Sequence, residues 1–306
     1  MKDRIAKITF LLMALIVFSG WVNSPTALLL GFGFTLFFNN PFKAYCHKAI
    51  HSFLKVSVVG LGFGMFIKET LETGKEGFML TFLSITLTVG LGFLLTKALK
   101  LDKKLGHLIT SGTSVCGGSA IAAISPVINA KSKAISIALA VVFLLNSIAL
   151  FVFPAIGHYL HLSQHQFGLW CAVAIHDTSS VIGASIGYGD EALRTATTVK
   201  LSRMLWIVSL SIMSMLIFKT KGEKVKMPYF ILLFIGAIIL NSYHLIPAMA
   251  SLTIVSISKK LLILTLFLVG STLSIEDLRA TGTRPMVLAV LLWVFISALS
   301  LLYILY

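Results

Sequence analysis

Charge is what this sequence has least of. Only 12% of its 306 residues are Asp, Glu, Lys or Arg, against about 25% in soluble domains. Acidic residues number 11 in all. Cysteine is scarcer still, with Cys46, Cys116 and Cys171 alone. An odd number of cysteines, in apolar stretches or loops and without zinc spacing, excludes a disulfide framework. No Walker loop, hydrolase elbow or HExxH occurs, which argues against primary pumping by this chain. These gaps rule out a soluble enzyme, a disordered chain, a collagen and a disulfide scaffold.

What is there instead is apolar. Hydrophobic residues make up 57% of the chain and the mean hydropathy is +0.96. The apolar residues come in long runs, which a membrane barrel with its weak alternation does not show. The composition therefore predicts an all-α polytopic membrane protein forming one domain over residues 1–306, with the lipid bilayer as its first partner. Lys+Arg is 25, for a net charge of +14. No basic stripe interleaved with aromatics accompanies it, so nucleic acid is not the expected partner.

A helical span takes about 20 residues. That ruler predicts about eleven spans: 8–21, 26–38, 53–67, 78–96, 108–128, 134–157, 167–188, 196–218, 229–243, 261–275 and 286–306. The basic residues gather in alternate loops. Lys2, Arg4 and Lys7 begin the chain, Lys43, Lys48 and Lys55 follow the second span, and Lys97, Lys100, Lys103 and Lys104 follow the fourth. Lys219, Lys221, Lys224 and Lys226 follow the eighth. If every segment crosses, the N-terminus is cytoplasmic, the C-terminus lies outside, and Lys259 and Lys260 open the tenth span from outside. One re-entrant segment would invert the later half. The first apolar run reads as a retained helix, not a signal peptide. Residues 42–57, with three lysines among apolar residues, read as an amphipathic helix on the membrane surface. A faint echo links Ile67, Glu69 and Leu71 with Ile275, Asp277 and Leu278, as inverted transporter repeats do.

Three polar stretches lie inside apolar spans. The first runs from Thr110 to Ser119 and includes Thr113, Ser114, Cys116, Gly117, Gly118 and Ser119. Each glycine in a helix interior costs about 1 kcal/mol against alanine, and Ser and Thr offer the backbone other hydrogen bonds. The helix is expected to break near residues 113–118, aiming the amides of the following half-helix into a watery cavity as an anion site. Close helix packing by small residues is the alternative. The second stretch holds His176, Asp177, Thr178, Ser179 and Ser180. A carboxylate at that depth costs at least about 2.5–3.5 kcal/mol on insertion scales, so it faces the interior, takes up a proton or binds a cation. With its hydroxyl neighbours it could coordinate Na⁺, or with His176 carry a proton. The alternative is a structural hydrogen-bonded pair. The third stretch places Lys200 and Arg203 on one helix face. They suit an anionic substrate or the neutralisation of Asp177; Lys200 could equally snorkel to the interface.

Lesser signals are the run Gly60–Gly64, which reads as helix packing, and His158, His161 and His165, whose helix-like metal spacing falls at a helix end. Asn146, Asn241 and Ser242 read as interhelical hydrogen-bonding groups. No metal or cofactor motif is expected beyond a coupling H⁺ or Na⁺.

Ser114–Ala123 with Pro126, then Ile175-His-Asp177, then Val199–Arg203 resemble the YeiH-like family of bacterial inner-membrane proteins, also called the sulfate exporter family. The resemblance spans nearly the whole chain. It implies kinship with cation–proton antiporters and bile-acid-type symporters, and hence inverted repeats with two discontinuous helices crossing at mid-membrane. The Ser114–Gly118 break matches one. The second falls either around Gly270-Ser-Thr or in the His176–Ser180 span. Ser179-Ser180 departs from the family's pattern, which bears on ion and substrate identity. The function implied is proton- or sodium-coupled export of a small anion, a sulfur oxyanion such as sulfate, and a homodimer is possible. An anion or small-solute channel and a membrane-embedded enzyme using His176 and Asp177 are the competing readings.

Overall fold

A computed structural model describes residues 2–38, 40–220, 230–272 and 282–305. Fourteen helices account for nearly all of them: α1 (Lys2–Ser19), α2 (Ser24–Phe37), α3 (Lys43–Gly62), α4 (Ile67–Ala98), α5 (Lys103–Ser114), α6 (Gly118–Val127) and α7 (Ser132–Tyr159), followed by α8 (Gln164–Ala174), α9 (Thr178–Tyr188), α10 (Asp190–Met204), α11 (Trp206–Phe218), α12 (Phe230–Ser242), α13 (Ala248–Gly270) and α14 (Thr283–Leu305). No strand occurs among the described residues. Five segments are long and apolar enough to cross a bilayer: α4, α7, α10 with α11, α13 and α14. Lys221, Lys224, Lys226, Ile275, Asp277 and Leu278, used above for topology and for the echo, lie outside the described residues.

Local chemistry sets the helix starts. Asn23 caps α2 by accepting from the Thr26 amide, and Asp102 caps α5 by accepting from the Lys104 and Leu105 amides. Ser163 and Gln166 form a reciprocal capping box on α8. Each such cap contributes about 1 kcal/mol.

Two of the eleven expected spans do not cross. The fifth is α5 and α6, and the seventh is α8 and α9, each a re-entrant hairpin. Lys104, at the start of α5, donates to the carbonyl of Asn129, just past α6, at 2.8 Å. Helices rise 1.5 Å per residue, so a straight path would separate those residues by roughly 35 Å, far beyond a lysine's reach. Likewise the Tyr188 hydroxyl, ending α9, donates to the Leu162 carbonyl before α8 at 2.8 Å. Its ring stacks on Phe167 with centroids 3.6 Å apart. The half-helices are short because each reaches only mid-membrane. The hairpins open toward opposite ends of the bundle: the first toward Lys97–Lys104, Lys131, Lys133 and Lys219, the second toward Glu76, Asp190 and Glu191, since His165 pairs with Glu76 at 2.7 Å and Gln164 accepts from the Glu191 amide at 3.1 Å. Two reversals restore the parity that one would break, so only α7 changes direction relative to an all-crossing path. Single cysteines replacing Lys104 and Asn129, in a background without native thiols, are expected to react with an impermeant maleimide from the same side of the membrane. Cysteines replacing Gln164 and Gly187, where an added side chain meets open space, are expected to react from the other side. Labelling of positions 104 and 129 from opposite sides would sink the hairpin.

Two expectations are corrected. The amphipathic 42–57 segment and the third span are one helix, α3, which packs along α13 with Cys46, Ser57, Val58 and Leu61 buried. Lys259 and Lys260 do not open a span: α13 begins at Ala248, where alternating serines and apolar residues had hidden a helix. Lys259 instead reaches Asp190 at 2.5 Å. At Gly270 the helix stops. α13 ends there, with Ser271 as its C-cap, and a methyl group at 270 would strike the Leu28 carbonyl of α2, while the rest of the expected break beyond Thr272 lies outside the described residues. Gly60 and Gly62 do serve close packing, against Ser258 and the Phe234 carbonyl.

Candidate functional site

The two hairpin tips meet. Residues 115–117 join α5 to α6, and 175–177 join α8 to α9. Gly117 adopts φ 58° and ψ −123°, a conformation that side chains resist. A β-carbon there would lie 3.4 Å from both the Asp177 nitrogen and the His176 carbonyl carbon. Glycine at 117 thus does two things: it turns the chain and lets the second tip approach.

Each tip presents a carbonyl end and an amide end. The carbonyl ends belong to α5 and α8, and each carries about half an elementary negative charge. Lys200 and Arg203, both 0% exposed, satisfy them from α10. Lys200 Nζ donates to the carbonyls of Val115 (3.2 Å), Ala172 (3.2 Å) and Ile175 (2.7 Å). Three acceptors around one nitrogen require three hydrogens, so Lys200 is an ammonium ion. Arg203 donates from Nε to the Val115 carbonyl at 3.0 Å, from Nη1 to Ser84 Oγ at 3.2 Å, and from Nη2 to the Ser114 carbonyl. The three-residue spacing that put both on one face serves this purpose. They hold two half-helix ends together, and Lys200 has no hydrogen left for an anion.

The amide ends are treated unequally. At α9, Asp177 accepts from the Ser179 amide at 3.0 Å and from the Ser179 hydroxyl. Asn146 Oδ1 accepts from the amides of His176 (3.1 Å) and Asp177 (3.2 Å). That end is filled by the protein itself. At α6 no side chain caps Gly117. The first backbone bond of the helix is Ile121 to Gly117, and the Gly118 and Ser119 amides have no acceptor among the described residues. Gly118 is half-buried and Ser119 exposed, so this end is open.

Several polar atoms nearby are buried without partners: both ring nitrogens of His176, Asn146 Nδ2, Thr113 Oγ1 and Ser111 Oγ. Each such group costs about 1–3 kcal/mol if nothing ever meets it. Of the residues expected from sequence, Ser114 donates to the Ser111 carbonyl at 3.2 Å, Cys116 is fully buried, and Ser180 is 6% exposed. Thr113–Ser119, His176–Ser180, Lys200 and Arg203 thus come together at one place. Asn146 and Ser84 belong there too. Asn146 showed itself in the sequence as a lone amide in an apolar span, but nothing in the pattern said that its partners were the amides of a hairpin tip. The three spaced histidines part company: His158 stacks on Tyr188 and His165 joins Glu76.

Two cavities lie at the acidic end, and none of Thr113–Ser119, His176–Ser180, Lys200 or Arg203 lines either. One, of about 410 Å³, is walled by Glu69, Glu72, Glu76, Glu191, His165 and Arg194. The other, of about 500 Å³, lies between the α10 start and α3, α12 and α13.

The family model described as conserved hypothetical protein 698 matches residues 5–289. A UPF0324 membrane protein of Photobacterium profundum is 51% identical over 298 residues, covering 97% of this chain and 91% of that one. The chain belongs to the UPF0324 membrane protein family. A UPF0324 relative from Bacteroides thetaiotaomicron is 48% identical over 94% of this chain and 87% of its own, and one from Geobacter sulfurreducens is 41% identical over 96% and 94%. No solved structure matches this UPF0324 chain. Its relatives carry a name for where they reside, and the geometry at the hairpin tips carries the functional argument.

Proposed function

We propose that this UPF0324 protein is a secondary transporter that moves a small anion, with sulfur oxyanions such as sulfate among the candidates, by alternating access. The observation that supports it is the open amide end of α6 at the meeting tips, beside the partnerless His176 ring and Asn146 Nδ2, with Lys200 bonded to both tips and Arg203 to the first. Amides, a helix dipole and fixed positive charge favour an anion at that depth. Lys200 and Arg203 act on it through the field and through the tips they hold. His176 is the group placed to take up a coupling proton, or Na⁺ supplies the coupling, and no bond-breaking step is assigned to the chain. The protein sits in the bacterial inner membrane with its Lys-rich end cytoplasmic. Export then ends in a vestibule of glutamates, whose charge opposes return of the anion.

The test is flux into liposomes holding the purified protein. A panel of labelled sulfur oxyanions and small carboxylates is offered with and without proton or sodium gradients. At least one is expected to accumulate above empty vesicles, in a gradient-dependent way. No uptake of any of them would end the reading, and current that follows voltage without coupling would replace it with a channel.

A further inference from the structure

The charges fixed at the hairpin tips do not balance. Lys200, counted as the ammonium ion that has one hydrogen for each of its three carbonyl acceptors, contributes +1, Arg203 contributes +1, and Asp177, counted as a carboxylate, contributes −1. The two carbonyl ends and the two amide ends each carry about half a charge and cancel. His176, with neither ring nitrogen partnered, is counted neutral, as are the buried thiols of Cys116 and Cys171. The remainder is one positive charge at mid-membrane, with no counter-ion among the described residues.

We infer that the tips are built for a singly charged small oxyanion, such as hydrogen sulfite, nitrate or formate, in preference to a doubly charged one such as sulfate. This rests on the transport reading and narrows it. One negative charge at the open α6 end brings the tips to neutrality. Two leave an excess negative charge in a low-dielectric place, which is costly. The unfilled groups fit the same guest. Asn146 Oδ1 is committed to the His176 and Asp177 amides, which fixes Nδ2 as the free donor. His176, as a neutral imidazole, offers one donor and one acceptor. The acceptor suits the hydroxyl of hydrogen sulfite and has no use for a bare sulfate; nitrate and formate, which carry no hydroxyl, match the tips by charge and by the donors alone. Asp177 therefore sets the charge of the cargo as well as capping α9.

Asp177→Asn tests this. Asparagine caps helices as well as aspartate, so the hairpin stays, while the excess charge rises from one to two. Uptake of labelled nitrate, formate and sulfate is measured in liposomes at one pH where none changes charge. The wild type is expected to carry the monoanions at least about tenfold better than sulfate. The variant is expected to close or reverse that ratio. Sulfate carried as well as the monoanions by the wild type would overturn the inference and leave the transport reading standing. So would an unchanged ratio in a folded, active variant. Transport of none of the three, together with failure of the wider anion panel, overturns both.

Discussion

Replacing Arg203 with methionine is expected to lower stability by about 3–5 kcal/mol, the cost of removing one partner from a buried charged network. The guanidinium binds the Ser114 and Val115 carbonyls and Ser84 together. Without it the Ser114 carbonyl at the end of α5 loses its donor and the Val115 carbonyl keeps only Lys200, in apolar surroundings where an unmet group costs several kcal/mol. Arg203→Lys keeps the charge but not the fork, and is expected to recover only part of the loss. Thermal unfolding in detergent, followed by a thiol probe for the buried Cys116, reads the effect. An Arg203→Met protein that melts within a degree or two of the wild type would mean that the guanidinium adds nothing to what Lys200 and packing already hold.

The second large effect is expected at Gly117. Gly117→Ala places a β-carbon 3.3 Å from Val142 and 3.4 Å from the second tip. It also forces a side chain into a backbone region that costs about 1–3 kcal/mol. Both penalties act to push the tips apart, so transport is expected to fall tenfold or more even where the protein still folds. Gly118→Ala is the comparison. Gly118 is helical, and its added methyl would meet the end of the Phe143 ring at 3.2 Å, which can swing aside. It is expected to retain most activity. Equal losses in the two variants, measured as initial uptake rate per folded protein, would remove the special role given to Gly117.

The sequence disclosed helices and breaks more readily than paths. Apolar runs located α7 and α14 closely because a bilayer imposes one length on anything that crosses it, whereas α4 begins at Ile67, well before the expected span, because Glu69, Glu72 and Glu76 mask its first turns. The clustering of Gly112, Gly117 and Gly118 with hydroxyl residues disclosed the first interruption, because those residues are costly in an apolar span, while the His176–Ser180 span was one of two places that the family resemblance left for the second. Hydropathy carries no information on whether a chain continues or turns back after a break. Two 10- to 12-residue half-helices read as one 20-residue span, so both reversals were invisible. Lys200 and Arg203 were found as intramembrane cations, but their partners are carbonyls, and every residue has one of those. Asp177 was found by its charge, and its capping role shows only once the chain direction at residue 178 is known.

The tie between α10 and the two tips also constrains how this protein is made. Lys200 and Arg203 follow both hairpins in the chain, so during synthesis neither tip has its carbonyl partners until α10 emerges. A half-helix with exposed main-chain ends is a poor passenger in lipid. The hairpins must therefore wait at the interface, or within the insertion machinery, and enter the bilayer last. The first two-thirds of the polypeptide is thus committed to its final topology by a segment that comes after it.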